Sequence, residues 1–158
     1  MAIRVFIQNE ACSNRKHYHD EKTLEWKRSV EVSRPYPFPY GFIIGTTAAD
    51  DCNVDCFVIT QQPLKTGQIV ECEVVGLMEQ IEDGQEDHNV LAVPFGEQAE
   101  VDHTVQQILS EFVCGVFEHV IGKQMCVGRF LGRFEAEAHI ASRWDRNDRP
   151  LTDGSATS

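Results

Sequence analysis

The chain has 158 residues, 42% of them hydrophobic, which suits one domain built around one core. Its formal net charge of -11 argues against duplex DNA or RNA as a partner, because such binders neutralise phosphates with clustered Lys and Arg. It contains no apolar run long enough to cross a bilayer and no charged-then-apolar leader, so a soluble, unsecreted protein of the cytoplasm with no membrane partner is expected.

The first half reads as short strands. "AIRVFIQ" (2–8) and "LEWKRSVEV" (24–32) interleave apolar and polar residues, and "GFIIG" (41–45) is a short buried run. "DCFVIT" (55–60), "GQIVECEVVGLMEQ" (67–80) and "NVLAVP" (89–94) are rich in β-branched residues, with turn signals between them at 62–67 and 82–87. Many short strands at regular spacing predict a small barrel rather than a βαβ fold. From Val105, apolar residues recur at 108, 109, 112, 113, 116, 117, 120 and 121, the stripe of an amphipathic helix. Thr104 and Gln107 fit a capping box, and Gly122 suits the stop. A strand over "QMCVGRFLG" (124–132) follows, then a shorter helix over 134–144. A domain over 1–145 and a polar, flexible tail over 146–158 complete the expected organisation. The six cysteines (12, 52, 56, 72, 114 and 126) form no CxxC pair and are expected to be mostly reduced, small core residues.

Two acidic turns stand out. One holds Asp50, Asp51 and Asp55, with Cys52 among them; the other holds Glu82, Asp83, Glu86 and Asp87. Each lies between predicted strands, so both can meet at one rim of a barrel. Mg²⁺ takes oxygen ligands, usually one or two carboxylates with waters and substrate phosphates. Acidic turns are also common on ordinary soluble surfaces, so neither turn is specific alone. Arg15, Lys16, Lys27, Arg28, Tyr36 and Tyr40 are candidate phosphate donors, Arg by a bidentate fork, Lys by a point charge and Tyr by a hydroxyl. The chain carries no P-loop, no GxSxG and no dinucleotide fingerprint.

The order of the pieces is more specific than any one of them. "RVFIQNEACSNRKHYHDEKTLEWKR", "YPFPYGFIIGT", "DDCNVD", "GQIVECEVVGLMEQIEDGQEDHNVLAVP" and "FEHV", in that order, resemble the soluble inorganic pyrophosphatase family over roughly residues 5 to 140. The resemblance implies an α+β, mainly β fold: a five-stranded OB-like barrel with one long and one short covering helix. It implies Mg²⁺-dependent hydrolysis of pyrophosphate to two phosphates by a metal-activated water, and a homo-oligomer, commonly a hexamer in bacterial members.

Carried over by position, the family pattern gives Lys16, Arg28 and Tyr40 as phosphate-holding residues and Asp50, Asp55, Glu82 and Asp87 as metal ligands. The middle aspartate of the family's DxDxxD loop, which helps bind metal and activate water, falls on Cys52. Asp51 beside it is the candidate replacement, acting with Asp55 in catalysis. Further departures are Gln8 and Tyr18 for glutamates, Asn89 for a lysine, and Val120 and Ile121 for a tyrosine-lysine pair. These losses imply slow turnover or a shifted substrate. Their concentration also motivates an alternative, a catalytically impaired pyrophosphatase-like protein serving as a binding or assembly subunit.

Overall fold

The computed structural model describes residues 1–145; the expected tail over 146–158 lies outside the described residues. Among the described residues nine strands and two helices follow in the order β1 (Ala2–Asn9), β2 (Arg15–His19), β3 (Trp26–Glu31), β4 (Tyr40–Ile43), β5 (Asp55–Val58), β6 (Ile69–Glu82), β7 (Gln85–Glu86), β8 (Asn89–Pro94), α1 (His103–Gly115), β9 (Met125–Gly132) and α2 (Arg133–Ala141). Strands β1, β4, β5, β8 and β6 pair in that sequence, and β6 pairs back to β1, closing a five-stranded barrel. The expected mainly-β barrel with one longer and one shorter helix is therefore present.

Closure depends on β6, a strand of 14 residues. One length of it pairs with β1, and it reaches further to pair with β8, β7 and β9. Register shifts between Val74 and Gly76 and between Met78 and Gln80 let it bend around the barrel. Inside lie Val5, Ile7, Ile43, Val58, Val74 and Val90, all fully buried. A second core beneath α1 joins Phe57, Leu91, Leu109, Phe112 and Val113. Gly41 is demanded by close approach, since a Cβ there would sit 1.8 Å from the Phe6 carbonyl oxygen.

Several local expectations change. The single strand over 24–32 is one arm of a hairpin, β2 with β3, outside the barrel. Its partner "RKHYH" has too little apolar alternation to stand out as a strand. Asp102, not Thr104, caps α1, its carboxylate accepting the Val105 N–H at 2.9 Å. The helix ends at Gly115 rather than near Gly122, where the chain passes into turns and residues 118–122 are exposed. Helix α2 likewise stops at Ala141, short of 144. The second acidic turn is a tight hairpin, with Asp83 and Gly84 both at positive φ (50° and 85°). Of the cysteines only Cys56 and Cys72 are core residues; Cys12, Cys52, Cys114 and Cys126 are exposed, and all six are free thiols.

Candidate functional site

A cavity of about 370 Å³ opens between the barrel mouth, the β2–β3 hairpin and the end of α1. The register of the sheet explains which residues meet there. Strands β5 and β8 are parallel, and Asp55 pairs directly with Asn89. Thirty-odd residues of intervening chain therefore return to place Asp87 beside Asp55 in the cavity wall. Asp55 keeps some surface open to the cavity, yet protein atoms surround it closely. Burial, then the neighbouring Asp87, push its carboxyl well above the usual carboxylate range. Burial raises Asp87 as well. Both shifts favour a proton or a cation at the pair.

Behind the pair, Gln80 is buried and accepts from the Asn89 amide at 2.7 Å, while its own amide reaches an Asp87 oxygen at 3.4 Å. The side-chain oxygen of Asn89, 1% exposed and lining the same cavity, has no hydrogen-bond partner. A buried acceptor left open beside two carboxyl groups is a place for a donor or a cation.

Lys16 projects from the start of β2, its ammonium 5.0 Å from the Tyr40 ring centre and 5.3 Å from that of Tyr18. Burial alone would lower its pKa, but Tyr36, Tyr18 and Asp55 together hold it above the usual lysine range. It is a fixed positive charge. Tyr40 opens β4 opposite Phe57, and burial raises its hydroxyl, which therefore stays protonated and able to donate. Tyr36, buried, stacks against Tyr40 at 5.4 Å and widens this aromatic wall.

The remaining sequence candidates divide. Asp50 lines the cavity and closes its own turn, accepting the Cys52 N–H at 3.1 Å. Cys52 also lines it; burial and the carboxylates of Glu21, Asp50, Asp55 and Asp87 push its thiol up to about 11. Cys52 is thus a neutral thiol at neutral pH, a poor ligand for a hard cation. Asp51 stands apart from it. It sits exposed at positive φ (67°), outside the residues that line the cavity, its N–H bonded to the Ala48 carbonyl. Arg28 is exposed on β3 and stacks on Tyr18 at 4.3 Å, so it reaches the cavity only through that ring. Glu82 lines the cavity, but its carboxylate is paired with Lys123 at 2.8 Å. Among the described residues, no three His, Cys, Asp or Glu side chains stand together as a ready metal cage.

Two contributors carry no sequence pattern. Glu21 follows the β2 strand in a polar turn and lines the cavity. Asn53 ties it down, its backbone N–H donating to the Glu21 carboxylate at 2.8 Å and its amide to the Glu21 carbonyl at 3.3 Å. Lys123 follows α1 and lines the opposite wall. The departures, by contrast, were well marked: Gln8, Tyr18, Cys52, Asn89 and Val120 all line this one cavity, and only Ile121 turns fully outward.

No helix among the described residues is long and apolar enough to cross a membrane. Residues 7–140 match the family model described as inorganic pyrophosphatase. Over 150 residues the chain is 29% identical to the inorganic pyrophosphatase of Nanoarchaeum equitans, covering 89% of this chain and 94% of that one. It is 31% identical over 157 residues to that of Yersinia pestis, with 91% and 90% covered. Among solved structures, the inorganic phosphatase from Anaplasma phagocytophilum superposes with a TM-score of 0.80 at 25% identity, covering 90% of this chain and 91% of that chain.

Proposed function

The chain belongs to the soluble inorganic pyrophosphatase family, and on that premise we propose that it hydrolyses inorganic pyrophosphate to two phosphates with Mg²⁺. Family membership implies a divalent metal cofactor; the choice of Mg²⁺ rests on the all-oxygen chemistry of the inner donors. The carrying observation is the half-buried Asp55 and Asp87 carboxyl groups, set side by side by strand register and sharing one cavity with the Lys16 ammonium.

The donor set fits a hard dication. Two facing carboxyl groups away from bulk water need a proton or a cation between them, and the open Asn89 oxygen adds a third neutral acceptor. Asp55 and Asp87, with Asp50 at the rim, are the residues that would hold it. When bound there, the ion polarises phosphoryl oxygens and lowers the pKa of an attacking water. A cation held there would offset the repulsion that raises both carboxyl groups. Lys16 neutralises phosphoryl oxygen charge, and the Tyr40 hydroxyl donates to the same group. Glu82 is left out of the ligand set, because Lys123 already satisfies it.

We assign the site to one barrel domain over 1–145, and take the protein to act as a cytoplasmic homo-oligomer, by family likeness. A non-catalytic binding subunit is the less favoured reading, since the matched relatives carry an enzyme's name over nearly the whole chain. Phosphate release decides between them. The full chain with Mg²⁺ or Mn²⁺ releases phosphate from pyrophosphate, and Asp55→Asn or Asp87→Asn abolishes it. Release no greater than from heat-killed protein with either metal sinks the proposal.

A further inference from the structure

Lys123 has no place in the family pattern carried over above, yet it occupies one wall of the cavity. Sheet register puts it there. Met125 pairs with Glu82 where β9 meets the end of β6. The chain just before β9 therefore passes over the Asp83–Gly84 turn. Gln124 and Asp83 clasp each other: the Gln124 N–H donates to the Asp83 carboxylate at 2.8 Å, and the Asp83 N–H to the Gln124 carbonyl at 2.9 Å. With that clasp fixed, the Lys123 ammonium stands 2.8 Å from Glu82 and 3.4 Å from Asp83. Both partners of the Glu82 pair are largely covered, at 26% and 28% side-chain exposure, so the pair is less screened than a free surface bridge.

The ammonium also looks into the cavity. It lies 5.1 Å from the Phe117 ring centre, and the Lys16 ammonium lies 6.0 Å from the same ring. Two fixed cations thus flank one aromatic side chain, with the Asp55–Asp87 pair in the same enclosure.

We propose that Lys123 is a built-in cation, whose ammonium takes the place of a divalent ion at Glu82 and presents that charge to a phosphoryl group of the bound phosphoanhydride. The inference rests on the pyrophosphatase reading for the identity of the substrate, and on the ion-pair geometry alone for the metal. It accounts for a carboxylate at the rim that is not free to coordinate. Divalent ions are then confined to the Asp50, Asp55 and Asp87 side. A purely structural role, pinning the turn to β9, makes no such demand on metal number.

The test counts bound Mn²⁺ per full-length chain by equilibrium dialysis with electron paramagnetic resonance, for wild type, Lys123→Ala, Lys123→Gln and the double variant Lys123→Ala with Glu82→Gln. Freed Glu82 should let each single variant bind one ion more than wild type, and the double variant should lose that gain. Metal-free binding of methylenediphosphonate should weaken about tenfold in the single variants, the loss of one charge contact. Circular dichroism checks folding, and Lys123→Gln decides if Lys123→Ala fails to fold. An ion count equal to wild type in a folded single variant overturns the inference. Absence of phosphate release by the wild type would instead overturn the enzymatic reading, and the Mn²⁺ count would still judge Lys123.

Discussion

The hairpin at 82–87 has two ends that chemistry treats differently. At its outer end Glu82 and Asp83 are met by Lys123 and by the Gln124 backbone at the cavity rim. At its inner end, Asp87 is pressed against Asp55 and raised by burial. The residue types are nearly the same and five positions separate the extremes; depth and partner differ. The outer carboxylates are satisfied by a cation the chain supplies. The inner ones are held in a state that only a proton or an added cation relieves. An acidic turn becomes a reactive site where strand pairing carries part of it inward.

Breaking the inner end should give the largest effect. Asp55→Asn or Asp87→Asn is expected to lower phosphate release at least ~10²–10³-fold, the scale for losing a preorganised electrostatic group. The same variants should keep or gain thermal stability, because a buried carboxyl repulsion is removed. Scanning calorimetry beside the phosphate assay checks both. A parallel loss of stability and activity would mean that the pair is structural. Lys16→Ala follows, with a loss of about 10²-fold, since the only other lysine lining the cavity is already engaged with Glu82. Arg28→Ala should cost less than about tenfold, as its guanidinium is exposed and touches the cavity through Tyr18 alone.

The support behind the inner pair offers a smaller perturbation. Gln80→Leu removes the acceptor of the Asn89 amide and should destabilise by about 1–3 kcal/mol, the cost of an unpaired buried polar group. Urea denaturation measures it, and no change would mean that water replaces Gln80. On the far side of the pair, His139 packs 5.6 Å from His88 in a small hollow that Asp55 and Asp87 also line. Burial, with Arg143 and His88 adding to it, pushes His139 down to about 4 from an ordinary value of 6.5. The neutral ring is the folded form. Its contribution to stability is full above pH 6.5 and is lost as the pH falls toward 4. His139→Gln should flatten that acid limb of the urea midpoint.

How much of this was legible in the chain differs by feature. The barrel was readable because its strands carry β-branched runs separated by turn residues, and α1 because its apolar stripe is long. Strand β2 was not, since "RKHYH" is polar and gains order from pairing with β3. Asp50, Asp55, Asp87, Lys16 and Tyr40 could be named because they lie in ordered motifs. Glu21 and Lys123 could not. One is held by Asn53, thirty-two positions away, and the other by the β6–β9 register, forty-one positions from Glu82. Such contacts leave no local periodicity to read.

Asp51 supplies the smallest effect and the sharpest contrast. In an extended strand its carboxylate would face away from the cavity, and only an irregular loop would let it stand in for Cys52. The loop is irregular, with Asp51 at φ 67°, yet the side chain remains exposed and its N–H is spent on Ala48. Asp51→Asn should therefore change phosphate release by less than about twofold, within the usual range for a surface substitution away from such features. Cys52→Asp is the matching gain. It adds a carboxylate at a position that already lines the cavity between Asp50 and Asp55. Tighter Mn²⁺ binding in Cys52→Asp with no change in Asp51→Asn is the expected result, read by titration calorimetry. A strong loss in Asp51→Asn would mean that the loop turns over during catalysis and brings the exposed carboxylate inward, erasing the distinction between the surface and buried acids of this turn.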